Sequence, residues 1–251
     1  MVLNRVIAEA AYFAFRKAQL KAMHTERLGL IHVTDIIKEC PRMQYYGKHI
    51  TTGINTRDMK SLFYGQAVHK CTNMSTNPKD NELFFAWDFM NDKSYNLNDA
   101  KKLLEIYPDA KYDILFGSAD DIIEIDGEYI ICDKKTTGNM DTYSLKKGEA
   151  YSNHKDQLNV YRVLFNKCYG KDAKKGCNIY ISNGVDRELR VDVIPCAYNL
   201  RPYDEMLKEV TDKCKAMRAD LIFGHLPDAV KNNACYEWCP HVEKCVNNEN
   251  I

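Results

Sequence analysis

The sequence predicts a mixed α/β fold in which helices pack on a central sheet. Two apolar runs, 112–125 and 128–136, are separated by Asp126-Gly127, a dipeptide typical of a tight β-hairpin. Helical segments precede this hairpin, another follows it, and further strand-like runs and a closing helix complete the chain. This order of helices, strand meander, helix, strands and helix is the basis of the prediction.

The predicted elements follow in order along the chain. The N-terminal stretch interrupts its apolar residues with Arg5, Glu9 and Arg16, as an amphipathic helix does. Polar stretches at 72–81 and 91–99 predict surface loops. Helices are predicted near 3–24, 56–72, 98–106, 153–168 and 201–223, and strands near 83–89, 112–125, 128–136, 177–183 and 187–194.

The composition is that of a folded soluble protein. With 251 residues, 45% of them hydrophobic and 28% charged, the chain is long enough to bury a core. No stretch is apolar enough to span a bilayer, and the charged N-terminus does not resemble a signal peptide. Ten cysteines in such a chain indicate metal or redox use rather than disulfides. We therefore expect a cytoplasmic protein in a reducing compartment, with no membrane partner.

Charge is balanced over the whole chain but not along it. Residues 76–133 hold 14 acids and 5 lysines, a net charge of −9. Residues 134–175 hold 10 basic and 4 acidic residues, a net charge of +6. An acidic cluster directly before a basic one suits a metal site beside a phosphate-binding surface. The alternative is two solvated faces of different charge.

The hairpin gathers carboxylates and lysines at one end of the predicted sheet. Asp120 and Asp121 lie early in its first strand, and the opposite end of the second strand carries Asp133, Lys134 and Lys135. Side chains alternate across a strand, so Asp133 and Lys135 share a face while Lys134 points away. Neighbouring carboxylates repel one another unless a cation lies between them, which favours a Mg²⁺ or Mn²⁺ site. The alternative is a hairpin whose surface charges form an ion pair.

Two helical segments carry polar residues at a spacing of four. In YGQAVHK, Gly65 and His69 share a helix face, so the glycine would let the helix approach the sheet and the imidazole would complete a metal shell. In HKDQLNVYRVLF, Gln157 and Tyr161 share a face and would hold a nucleic-acid strand or buttress the site. The alternatives are a packed histidine and an amphipathic helix with polar margins.

Taken together, these motifs resemble the RecB-type branch of the PD-(D/E)xK nuclease superfamily. The series is G-x-x-x-H from Gly65 to His69, G-x-x-D from Gly117 to Asp120, D-x-K from Asp133 to Lys135 and Q-x-x-x-Y from Gln157 to Tyr161.

The resemblance implies a restriction-endonuclease-like core, a central mixed sheet flanked by helices, and a set of site residues. Asp121 lies one residue from the motif position, and Asp120 is preferred to it. The implied roles are metal ligands at His69, Asp120, Asp133 and the Lys134 backbone carbonyl, a catalytic lysine at Lys135, and DNA contacts at Gln157 and Tyr161.

The C-terminal sequence ACYEWCPHVEKC carries three cysteines that are hard to explain as core filling. They are Cys235, Cys239 and Cys245, and Cys40 in IIKECPRMQYY is the candidate fourth ligand. Four thiolates suit Zn²⁺ or an iron–sulfur cluster. The division into one cysteine and three resembles the [4Fe–4S] clamp of the CRISPR-associated RecB-like exonucleases (the fourth Cas family) and of the AddB-type repair nucleases. Three residues separate Cys235 from Cys239 where two are common in that family, so the cluster type stays open.

The resemblance runs from about Thr34 to Cys245 and implies one nuclease domain over 1–251. Segments 1–55 and 225–251 would form the clamp around a core at 56–224. Such a clamp closes a very long loop, where the entropy saved is largest.

These features predict a Mg²⁺- or Mn²⁺-dependent deoxyribonuclease, an exonuclease on single-stranded DNA or DNA ends, acting in CRISPR adaptation, recombination or repair. No G-x-x-x-x-G-K-[ST] phosphate loop is present, so a helicase, like any CRISPR adaptation partner, would be a separate protein. The alternatives are a non-catalytic DNA-binding scaffold of the same fold and a zinc-stabilised DNA-binding module. The expected contacts to the DNA strand are the basic residues Lys146, Lys147, Lys155, Arg162, Lys171, Lys174 and Lys175, with Tyr151 and Tyr161 stacking on bases.

Overall fold

A seven-stranded mixed sheet forms the centre of the protein. The computed structural model describes residues 29–49, 65, 67–68, 81–182, 192–230, 239 and 241–247. The order across the sheet is β3-β2-β4-β5-β6-β7, and β1 pairs with β4 off this path. The pairs β1–β4 and β5–β6 are parallel and the others antiparallel. The strands are β1 (Ile31–His32), β2 (Asn81–Asp88), β3 (Lys93–Ser94), β4 (Ile114–Ile125), β5 (Glu128–Thr137), β6 (Lys175–Ser182) and β7 (Val193–Asn199).

Helices pack on both faces of this sheet. A helical connection joins β5 to β6, because parallel neighbours need a crossover. The helices are α1 (Val33–Ile36), α2 (Pro41–His49), α3 (Leu97–Ile106), α4 (Tyr143–Lys146), α5 (Ser152–Tyr169), α6 (Tyr203–Phe223) and α7 (Val242–Val246), with a 3₁₀ turn at Pro108–Ala110. The predicted mixed α/β class, a central mixed sheet flanked by helices, is confirmed.

Successive side chains of β2 point to opposite faces of the sheet and belong to two different hydrophobic clusters. Phe85 and Trp87 belong to the main core, which lies beneath α5 and α6. Ala86 between them belongs to a second cluster, beneath α3. The middle of α5 is buried over nine consecutive residues, 157–165, because this helix packs on the sheet and α6 packs on it. The polar residues of that stretch are therefore inside the protein, where they need partners.

The predicted hairpin is confirmed. Asp126 and Gly127 have φ angles of 52° and 79°, and positive φ at both central residues is what a type I′ turn requires. The turn sets the register that pairs Asp121 with Cys132.

The predicted helices near 98–106, 153–168 and 201–223 are confirmed, each within two residues. The strands near 83–89, 112–125, 128–136 and 177–183 are also present. The predicted helix 3–24 lies outside the described residues, as does 56–72 apart from the helical residues 65 and 67–68. The predicted loop 72–81 also lies outside them, except that Asn81 begins β2.

Two predictions differ in part from the structure. The last strand continues to Asn199 rather than ending near 194, and residues 187–191 of the predicted strand are not described. The segment 91–99 is not a loop throughout, because β3 pairs with the end of β2 and the Asn96 side chain caps α3. The segment 91–99 is polar, so it lacks the apolar alternation that predicts strands.

The helix α2 was not predicted. It begins at Pro41, a residue that fits the first turn because its missing N–H has no helical partner there. None of the helices within the described ranges is long and apolar enough to cross a membrane.

Candidate active site

The sheet divides between β4 and β5, and the predicted site lies at this fork. The two strands pair from Ile125 and Glu128 to Asp121 and Cys132. Beyond that point β5 continues beside β6, whereas β4 continues between β2 and β1. Asp120 and Asp133 are the first residues past the last pair, so the fork places both at its apex. The Lys134 amide donates a hydrogen bond of 2.7 Å to Asp120 Oδ2 across the opening.

Asp133 and Lys135 form an ion pair on one side of β5. Lys135 Nζ lies 3.1 Å from Asp133 Oδ1 and 2.9 Å from Oδ2. Asp133 is 3% exposed, whereas the lysine side chain is 23% exposed and so opens towards solvent. Asn178 Nδ2 approaches Asp133 Oδ2 at 3.3 Å, and the Tyr198 hydroxyl donates to Asn178 Oδ1 at 2.7 Å. The Asp133 carboxylate is therefore held by Lys135 on one side and by Asn178 on the other.

Lys134 and Asp121 form a separate, fully buried ion pair. Lys134 Nζ lies 2.8 Å from Asp121 Oδ2, and the two side chains are 1% and 0% exposed. The sequence left open whether Asp120 or Asp121 belongs to the site. Since Asp121 is joined to the lysine that points away from Asp133, the geometry favours Asp120.

Gln157 and Tyr161 extend the network from α5. Gln157 Oε1 accepts a hydrogen bond of 2.8 Å from Lys135 Nζ, and Gln157 Nε2 donates one of 2.8 Å to the Tyr161 hydroxyl. Burial, followed by the charge of Asp133, raises the pKa of Tyr161, so the phenol stays protonated. The charge of Asp120 also raises this pKa.

Three residues that were predicted to contact DNA are buried. Gln157 and Tyr161 are 7% and 2% exposed, and their hydrogen bonds to Lys135 and to each other correspond to the second predicted role, buttressing the site. Arg162 is likewise buried, and its guanidinium donates two hydrogen bonds of 2.8 and 2.9 Å to the Asp172 carboxylate. Helical spacing alone could not distinguish a polar margin from a polar core.

Glycines allow the helices to approach the strands. A Cβ on Gly117 would lie 2.9 Å from Val33 Cγ2 and 3.1 Å from Tyr161 Cε1, so only glycine admits the tyrosine ring here. A Cβ on Gly65 would lie 3.3 Å from Thr136 Oγ1, which places that helical residue against β5. His69 itself lies outside the described residues.

Several site residues gave no sequence signal. Asn178 and Tyr198 belong to no motif, and only the pairing of β5, β6 and β7 brings them to Asp133. His154 and Tyr180 lie beside Lys135 for the same reason: Tyr180 is the register partner of Lys135, and His154 hydrogen-bonds Tyr180.

The predicted cysteine clamp is described in part. Cys40, Cys239 and Cys245 are half-buried cysteines outside any disulfide of the described residues, and Cys235 lies outside those residues. The helix α2 directly after Cys40 contacts the C-terminal segment. Arg42 donates to the Pro227 and Cys245 carbonyls at 2.7 and 3.3 Å, and the Tyr46 hydroxyl donates to the Lys244 carbonyl at 3.3 Å.

Among the described residues, no three His, Cys, Asp or Glu side chains are gathered closely enough to hold a metal ion. Each predicted ligand set lacks a member in this part of the chain, His69 in one and Cys235 in the other.

Fold and site together define a mixed α/β protein with an acid–lysine centre at the fork of its sheet. The chain is similar to the crystal structure of SSO0001, with a TM-score of 0.53 and 18% identity over 96% of this chain and 98% of that one. This likeness shows a shared fold. An alkaline exonuclease (LHK-Exo) from Laribacter hongkongensis aligns with a TM-score of 0.40 and 12% identity, over 78% of this chain and 90% of that one. No protein-family model and no curated protein sequence matches the chain.

Proposed function

We propose that this protein is a divalent-metal-dependent DNA nuclease of the PD-(D/E)xK type, an exonuclease on single-stranded DNA or DNA ends. The observation that carries the proposal is the meeting of Asp120, Asp133 and Lys135 at the fork of the sheet. A structural hairpin would need only one ion pair there, whereas here a second carboxylate, that of Asp120, is hydrogen-bonded to the Lys134 amide next to the Asp133–Lys135 pair.

The donors at the fork fit a hard cation. Carboxylate oxygens of Asp120 and Asp133 and the Lys134 carbonyl are the ligands that Mg²⁺ and Mn²⁺ prefer, and His69 would add an imidazole. A cation held there would polarise the scissile phosphate and lower the pKa of a water.

Lys135 acts on the charge that develops during cleavage. Its ammonium is held by Asp133 and by Gln157 Oε1, and its side chain is 23% exposed, so a phosphate could approach it. A donor fixed in advance stabilises charge on a phosphorus oxygen without reorganising during the reaction. Gln157 and Tyr161 keep it fixed.

Digestion of a labelled oligonucleotide tests the function. Single-stranded DNA labelled at the 5′ end, and in parallel at the 3′ end, is incubated with Mg²⁺, Mn²⁺ or a chelator. We expect stepwise shortening with either metal and none with the chelator. Intact DNA under all conditions would support a non-catalytic scaffold instead.

We also propose that Cys40, Cys235, Cys239 and Cys245 hold a [4Fe–4S] cluster. Contacts of α2 with residues 241–245 support this, because they bring the chain after Cys40 to the segment that carries the other thiols. Arg42 Nη1 lies 3.9 Å from Cys245 Sγ, and a guanidinium there would offset the negative charge of thiolate ligands. The clamp would join segments 1–55 and 225–251 around the core 56–224 of one domain.

Metal analysis tests the cluster. Protein purified without oxygen is expected to be brown and to contain iron, and Cys245→Ser is expected to lose iron and colour. Cys168→Ser serves as the control, since this half-buried thiol lies near the Ala86 carbonyl, away from the clamp. A colourless preparation loaded with zinc would contradict the cluster and favour a structural zinc site.

The proposed setting is CRISPR adaptation, recombination or repair, in a reducing cytoplasm. DNA is the proposed partner, and any helicase or adaptation protein would be a separate chain.

A further inference from the structure

His154 lies in the first turn of α5, one turn before Gln157. Its Nδ1 is 2.8 Å from the hydroxyl of Tyr180, which lies on β6 as the register partner of Lys135. The imidazole is half-buried, with its ring 5.6 Å from those of Tyr151 and Tyr180. It therefore lies beside the lysine of the site, although no motif includes it.

The hydrogen bonds around Tyr180 determine which nitrogen of His154 carries the proton. The Tyr151 amide donates to the Tyr180 oxygen at 3.0 Å. Since Tyr180 is itself fully buried, its own hydroxyl proton is directed to the other close partner, His154 Nδ1. Nδ1 then accepts, and a neutral imidazole must carry its proton on Nε2.

Nε2 is then the remaining donor of this half-buried ring. Within the described residues no group hydrogen-bonds to it, whereas Nδ1 is occupied. Burial and then the charge of Lys135 lower the pKa of His154 to about 4, so the ring stays neutral and keeps this tautomer near pH 7. A fixed N–H donor in the first turn of a helix, next to an ammonium, favours an anionic partner.

We propose that His154 is a substrate-binding residue whose Nε2–H donates to a backbone phosphate oxygen next to the scissile phosphate. The inference rests on the proposed nuclease function and adds a contact that orders the strand. Tyr180 positions the ring, because its hydroxyl holds Nδ1 as the acceptor.

Steady-state cleavage and binding by His154 variants test this inference. A hydrogen bond to a charged group is strong, so His154→Ala is expected to raise KM about tenfold or more while kcat changes much less. His154→Gln places an amide N–H near the position of Nε2 and is expected to restore most of the affinity, whereas His154→Asn, which mimics Nδ1, is not. Oligonucleotide binding in the presence of chelator, measured by fluorescence anisotropy, should follow the same order. His225→Ala, at an exposed histidine beyond α6, is the matched control.

A set of substrates, each with one methylphosphonate linkage near the cleavage site, locates the contact. At one linkage the wild type is expected to lose affinity while His154→Ala loses almost none further, because both changes remove the same hydrogen bond.

The outcomes separate the two proposals. If the wild type cleaves and all His154 variants match it in KM, only this inference is overturned. If His154→Gln is as impaired as His154→Asn, or no linkage shows the coupling, the Nε2 contact is overturned. If the wild type neither cuts nor binds DNA, the nuclease proposal fails and this inference fails with it.

Discussion

Replacing Lys135 with alanine is expected to reduce metal-dependent DNA cleavage by at least about 100-fold, the usual contribution of a preorganised charged donor. Its ammonium combines a fixed position with partial exposure of the side chain, because it lies 2.8 Å from Gln157 Oε1 and 2.9 Å from Asp133 Oδ2. Lys135→Arg is expected to rescue little, because a planar guanidinium cannot occupy the place of a compact ammonium between these two acceptors. Initial rates on a 5′-labelled strand measure the loss.

The comparison needs a lysine outside the site. Lys101→Ala, on the exposed side of α3, is expected to cleave at the wild-type rate. Both variants should retain iron and the wild-type unfolding midpoint, which separates a loss of chemistry from a loss of fold. Wild-type cleavage by Lys135→Ala would remove the active-site assignment.

Removing Asp121 is expected to lower the free energy of unfolding by about 3 to 5 kcal/mol, as for other buried ion pairs that lose one partner. The reason is that Lys134, 1% exposed, would remain buried after losing its ion pair with Asp121. Urea unfolding of Asp121→Ala at neutral pH measures the change. The double variant Asp121→Leu with Lys134→Met is expected to recover most of the stability, because it removes both charges and keeps apolar volume.

An exposed ion pair between neighbouring strands is the control. Lys175 Nζ lies 2.7 Å from Glu128 Oε2, with side chains 50% and 56% exposed. Lys175→Ala is expected to leave the midpoint unchanged, since solvent screens such pairs. If Asp121→Ala also leaves it unchanged, the charge of Lys134 does not depend on Asp121.

Turn preferences and side-chain alternation were sufficient to predict the β4–β5 hairpin that carries Asp133 and Lys135. Asp126-Gly127 specifies a turn with two positive φ angles, and that turn alone sets the register between β4 and β5. Period-two alternation then puts Asp133 and Lys135 on one side and Lys134 on the other, as the two ion pairs show. The fold class followed from the order of strands and helices.

The roles of polar residues on α5 could not be predicted in this way. Gln157 and Tyr161 are spaced as surface residues would be, yet they are buried because this face of α5 packs on the sheet, where Gln157 meets Lys135 and the Tyr161 ring meets Gly117. Asn178, Tyr198 and Tyr180 reach the site through pairings between strands far apart in the chain, which no sequence window contains.

The sequence by itself determined the hairpin, its register and the alternation that separates Lys134 from Lys135, because these depend on backbone preferences of adjacent residues. Only the tertiary structure decided that Asp121 pairs with Lys134, that Gln157 supports Lys135 and that His154 presents Nε2 beside it. Those contacts depend on how the sheet divides at Asp120 and on which helix covers the fork, and both are set by packing between distant segments.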